Sequence, residues 1–176
     1  MKTRIFWITK NLAIMPKPNS DEFLEEDIIH FSNQKLNILV SLLTREESFD
    51  LGLQNEKSIC EKYTIDFISF PIIDRSVPTE KQTIQIKELA KNLEEKIHQN
   101  EKIVIHCRGG IGRAGMLCSA ILIEQGYDTR EAIEKISKAR GLNIPDTEEP
   151  EKLDNEVLNN VYLTKNLPLF ITSLSV

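Results

Sequence analysis

Cysteine is scarce in this 176-residue sequence, and its three copies, Cys60, Cys107 and Cys118, are too few and odd in number for a closed disulfide framework. None belongs to a C-x-x-C pair, so the spacing of a zinc ribbon is lacking and no metal is expected. A reduced, cytoplasmic setting is the expectation. No run approaches the ~20 apolar residues that cross a bilayer. The apolar stretch Ile5-Phe6-Trp7-Ile8 is broken by Lys10 and Asn11 before it reaches secretory length, and it reads as a short edge strand. Positive charge is not in excess either. With 22 basic against 27 acidic side chains the net charge is −5, which argues against nucleic-acid binding by general electrostatic attraction. Glycine numbers only seven, yet Gly109, Gly110, Gly112 and Gly115 fall within seven consecutive positions.

What is present has the profile of a folded domain, with 40% hydrophobic and 28% charged residues. Strand-like and helix-like patterns alternate. Leu12–Ile14 reads as a strand, and Asn19 with Glu22 has the form of a capping box opening a helix to about Phe31. Ile38–Leu43 is a nearly continuous apolar run, as in a strand covered on both faces. Thr44 with Glu47 caps a short helix, a second runs over about Glu56–Tyr63, and a strand follows at Asp66–Phe70. Ile86, Leu89, Ala90, Leu93 and Ile97 recur at helical spacing between Thr79 and Gln99. The strand Lys102–His106, helices over about Arg113–Gln125 and from Asp128 to Arg140, and a last helix over about Glu148–Thr164 complete the series. These patterns predict a single α/β domain over residues 1–166, with a central, mostly parallel sheet flanked by helices. The apolar tail 167–176 is expected to pack back on the domain or to serve as a partner or dimer contact.

The chemistry concentrates in His106-Cys107-Arg108-Gly109-Gly110-Ile111-Gly112-Arg113-Ala114-Gly115. An apolar strand ends at His106, a short loop turns, and a helix begins near Arg113. Backbone N–H groups in such a turn, at the positive end of a helix, form an anion-binding nest. Glycine lets the backbone approach a phosphate closely. A cysteine at the start of the loop faces that nest, which favours thiolate over thiol. Arg113 has a planar fork suited to two phosphate oxygens.

This stretch resembles the His-Cys-x5-Arg signature of the cysteine-dependent protein tyrosine phosphatases. Its glycine pattern is most similar to the dual-specificity branch and to relatives like the cyclin-dependent-kinase-associated phosphatase. The resemblance is specific within residues 106–115 and architectural over about 36–161. It implies Cys107 as nucleophile, Arg113 as phosphate ligand and transition-state stabiliser, His106 as support for the thiolate, and Arg108, Gly109, Gly110, Ile111, Gly112 and Arg113 as the phosphate loop. It also implies a general acid on a loop some thirty to forty residues before the cysteine. In the segment Pro71–Pro78 the only carboxylate is Asp74, with Arg75 beside it to orient it or to bind substrate. Asp74 would protonate the leaving oxygen and then activate water against a phosphocysteine, with no cofactor.

Some positions depart from the family. Ala114 stands where a Ser or Thr is common, so breakdown of the intermediate is expected to be slow. The glutamines that position water in relatives are missing, and Asp146 or Thr147 is a substitute. The segments that deepen the pocket of tyrosine-specific enzymes are absent, so phosphoserine and phosphothreonine are expected substrates beside phosphotyrosine. Arg108 is the only further cation within the loop, which makes a phosphoinositide the less favoured substrate. A catalytically weak phospho-binding module is the competing reading. A sulfurtransferase or arsenate reductase is disfavoured by the mid-chain position of Cys107. Cys60 and Cys118 are expected to be buried packing residues.

Overall fold

The computed structural model describes residues 2–142 apart from 75 and 77. The helix expected over about 148–164, the tail 167–176, Asp146, Thr147 and Arg75 lie outside the described residues. Five strands form one sheet in the order β1-β2-β5-β3-β4. They are β1 (Phe6–Trp7), β2 (Leu12–Met15), β3 (Ile38–Ser41), β4 (Asp66–Ser69) and β5 (Ile103–His106). β2, β5, β3 and β4 run parallel, and β1 pairs antiparallel with β2 at one edge. The sheet is mostly parallel, as the alternation of elements predicts.

The apolar strands alternate between two cores. Leu12, Ile14, Ile38, Val40, Ile103 and Ile105 face one layer, which holds α4 (Glu80–His98), α5 (Gly112–Glu124) and α6 (Thr129–Arg140). Ala13, Met15, Leu39 and Val104 face the other, formed by α1 (Leu24–Asn33) and α3 (Glu56–Lys62). Both faces of the central strands are therefore dry, which is why they read as continuous apolar runs. Capping boxes at Thr44, Thr79 and Asp128 open α2 (Arg45–Asp50), α4 and α6. Each cap contributes about 1 kcal/mol.

The expected capping box at Asn19 and Glu22 does not form. A turn of 3-10 helix over Asp21–Phe23 precedes α1, and Asn19 donates its backbone N–H to buried Asp27 at 2.8 Å. Asp27 also accepts from the Thr3 N–H at 3.0 Å, so a buried carboxylate ties down the N-terminal segment in place of a helix cap.

The register decides where chemistry is possible. Met15, Ser41 and Ser69, in β2, β3 and β4, lie level with His106 of β5 across the parallel ladder. The chain leaves all four strands at one edge of the sheet, the carboxyl edge where ligands bind in open α/β sheets.

Candidate active site

The loop leaving β5 carries Cys107, Arg108, Gly109, Gly110 and Ile111 into α5. Cys107 is buried at its start, and the Gly110 N–H donates to Cys107 Sγ at 3.3 Å. The loop folds back on the sulfur, as a nest requires. Gly110 sits at φ +64, and a Cβ there would lie 2.1 Å from the Met15 carbonyl oxygen. Glycine is obligatory at this one position, because the turn and the end of β2 touch. Gly109 and Gly112 have room for a side chain, and Gly115 lies buried within the first turns of α5. Of Gly109, Gly110 and Gly112, only Gly110 is required by contact with the protein itself.

Arg113 is 6% exposed, in the first turn of α5. Its guanidinium reaches across the carboxyl edge to elements leaving β3 and β4. Nη1 donates to Glu47 Oε2 at 2.7 Å and to the Ile72 carbonyl at 3.0 Å, and Nη2 donates to Glu47 Oε1 at 2.9 Å. Nε lies 3.1 Å from Asp74 Oδ1, an ion-pair contact rather than an aligned hydrogen bond. Burial opposes the charge, yet the Glu47 hydrogen bonds, with Cys107, Glu47 and Asp74 nearby, hold the Arg113 guanidinium above its ordinary value. The same bonds hold the Glu47 carboxyl below the usual carboxylate value, against burial. Arg108 is exposed, with Nε 4.0 Å from Glu47 Oε1.

His106 is wholly buried beneath the loop. Its Nδ1 lies 3.4 Å from the Cys107 carbonyl oxygen, and Nε2 lies 3.1 Å from Oε1 of Glu56, a carboxylate only 2% exposed. This second contact is close in distance but off the hydrogen-bonding direction. The ring lies between Glu56 of α3 and the loop that carries Cys107.

The structure therefore gathers Cys107, Arg113, Asp74, His106 and the loop residues at one edge. It adds two residues that the sequence reading did not place in the site. Glu47 was legible only as a helix cap, which it is: Oε2 also accepts from the Thr44 N–H at 3.0 Å. Its partner Arg113 is 66 positions away. Glu56 carries no local signal, since an acid in the first turn of a helix is common. Cys60 and Cys118 are buried and free, and burial pushes both thiols up. Among the described residues no group of three or more His, Cys, Asp or Glu side chains is arranged to hold a metal ion, and no helix is long and apolar enough to cross a membrane.

Comparison with known proteins gives this arrangement a family. Rat (Rattus norvegicus) RNA/RNP complex-1-interacting phosphatase is 27% identical over 107 residues, covering 55% of this chain and 33% of the relative. The putative tyrosine phosphatase 197R of Invertebrate iridescent virus 6 is 34% identical over 98 residues, covering 52% of this chain and 36% of the relative. The chain matches about a third of the length of these curated relatives. Among solved structures, kinase associated phosphatase superposes with a TM-score of 0.73 at 17% identity, covering 90% of this chain and 97% of that one. Tk-PTP superposes with a TM-score of 0.67 at 24% identity, with the same shares covered. At these identities the likeness shows the fold. The model of the Swiss Army Knife protein DSP-PTPase phosphatase domain, PTP-SAK, matches residues 3–154. With that match spanning most of the chain, the protein belongs to this family of dual-specificity-type phosphatase domains.

Proposed function

We propose that this chain hydrolyses phosphomonoesters through a phosphocysteine on Cys107, acting on phosphotyrosine and also on phosphoserine and phosphothreonine in proteins. The observation that carries the reading is the convergence of three groups from separate elements. The Cys107 sulfur accepts from the Gly110 N–H of its own loop, the Arg113 guanidinium is near enough to interact electrostatically with Cys107, and Asp74 lies against Arg113. The thiolate attacks phosphorus in line while the loop N–H groups and Arg113 hold the equatorial oxygens. Phosphoryl transfer needs this positioning and charge stabilisation more than covalent help from other side chains. Asp74, half-exposed at the mouth, protonates the departing oxygen, and the S–P bond forms as the P–O bond breaks. Asp74 then takes a proton from water, which attacks phosphorus, releases inorganic phosphate and returns the thiolate. Phosphate entering the loop competes with Asp74 for the Arg113 Nε, which frees the carboxyl to meet the leaving group.

The test is hydrolysis of aryl phosphates of graded leaving-group acidity by wild type, Cys107→Ser and Asp74→Asn. Cys107→Ser is expected to abolish turnover. Asp74→Asn should cost 10²–10⁴ with a poor leaving group and much less with p-nitrophenol. Full activity in Cys107→Ser would sink the mechanism, and equal losses for both leaving groups would remove Asp74 as the acid.

A further inference from the structure

The three carbonyls that follow Cys107 all point out of the phosphate loop, and each is held from outside. The Arg108 carbonyl accepts from the Lys17 N–H at 3.2 Å. The Gly109 carbonyl accepts from Arg140 Nη2 at 2.8 Å, and the Gly110 carbonyl from Arg140 Nε at 3.0 Å. In a trans peptide the carbonyl of one residue and the N–H of the next point in opposite directions. Holding these three carbonyls outward therefore turns the N–H groups of Gly109, Gly110 and Ile111 inward. The Gly110 N–H on Cys107 Sγ is one observed member of that set.

Arg140 is the last residue of α6, some thirty positions beyond the loop it grips. Its guanidinium lies over the ring of Phe6 in β1, 4.3 Å from the centroid, and Arg4 approaches the same ring at 4.8 Å. Among the described residues it forms no ion pair with a carboxylate. Burial and the nearby Arg4 draw the guanidinium below its ordinary value, and Cys107 acts the other way. A guanidinium charge has thus been partly desolvated and directed at two adjacent glycine carbonyls. Glycine peptides are those in which a flip costs least sterically, so they are where an external restraint has most effect.

The geometry points to Arg140 as a positioning residue for the phosphate loop, seated on Phe6, that fixes the Gly109–Gly110 and Gly110–Ile111 peptides with their N–H groups inward. This rests on the phosphatase reading, and it makes the N-terminal strand part of the site's support. Without Arg140 a fraction of molecules carry a carbonyl where an amide should meet the anion. An anion then binds with an affinity reduced by the competent fraction, while saturating substrate draws the loop back to the competent form.

The experiment uses the full chain with Arg140→Met, Arg140→Lys and Phe6→Leu, read by p-nitrophenyl phosphate kinetics and by calorimetric titration with tungstate, an oxyanion that is not turned over. Arg140→Met is expected to lower kcat/KM and tungstate affinity by the same factor, at least about tenfold, since charge-assisted bonds to two carbonyls are lost. Its kcat should stay within about twofold of wild type. Arg140→Lys should recover part of both losses, because an ammonium reaches one carbonyl and not two. Phe6→Leu should show the same paired loss to a smaller extent, and it carries the test if Arg140→Met does not fold. A role confined to general stability would lower kcat through the folded fraction and leave KM and the tungstate constant alone. That result, or unchanged values of both, overturns the inference. A wild type that binds tungstate without hydrolysing p-nitrophenyl phosphate would instead refute the phosphatase reading, and the tungstate arm would still decide the role of Arg140.

Discussion

Glu47 offers the sharpest test of how the site is held. It accepts two charge-assisted hydrogen bonds from Arg113, at 2.7 and 2.9 Å, on a guanidinium that is 6% exposed. Such bonds contribute about 1.5–3 kcal/mol each. In Glu47→Ala the Arg113 Nη1 keeps the Ile72 carbonyl at 3.0 Å, whereas Nη2 loses its acceptor. The expected destabilisation is therefore about 2–4 kcal/mol, below the upper end for breaking a wholly buried pair. For a chain of this size that is a fall of roughly 5–15 °C in Tm. Under the proposed mechanism activity should fall as well, because a shift of Arg113 by ~1 Å can cost ~10² in rate. The pH dependence has a definite sign. Arg113 holds the Glu47 carboxyl below its ordinary value, so the folded chain binds that proton less tightly than the unfolded chain does. The contribution is whole above the unfolded carboxyl value of about 4.3 and is lost as pH falls through the lower folded value. Thermal melts of wild type and Glu47→Gln should therefore differ at pH 7 and converge only in acid, as pH falls through the lowered folded value. A Tm unchanged within about 2 °C at pH 7, with kcat/KM also unchanged, would refute this account of Arg113.

Other substitutions probe single contacts. Gly110→Ala places a Cβ 2.1 Å from the Met15 carbonyl oxygen at φ +64, and it should cost at least about 2 kcal/mol in stability together with most tungstate affinity. Gly112→Ala, with no protein atom found within 4 Å of the added carbon, should be near neutral in the same melts. Ala114→Ser adds a hydroxyl in the first turn of α5, one residue after Arg113, and is expected to speed breakdown of the phosphoenzyme. A pre-steady-state burst with p-nitrophenyl phosphate should then shrink as kcat rises, and an unchanged kcat would count against the role assigned to that position.

The sequence by itself determined the elements and the loop between β5 and α5 that carries Cys107. Continuous apolar runs at Ile38–Ser41 and Ile103–His106 mark strands buried on both faces, and Thr44, Thr79 and Asp128 mark helix starts, because these signals depend on residues a few positions apart. The spacing from Cys107 to Arg113 is likewise local, since one loop and one helical turn contain it. The cap expected at Asn19 failed because a distant carboxylate, Asp27, already holds that N–H. Tertiary structure alone decided what Arg113 rests against, why position 110 must be glycine and what holds the loop from outside. Glu47, Met15, Glu56 and Arg140 come from four different elements that meet only because parallel strands end at one edge. No short-range pattern specifies such meetings. They follow from the register of the sheet and the packing of helices on its two faces, which place charges far apart in the chain within hydrogen-bonding distance.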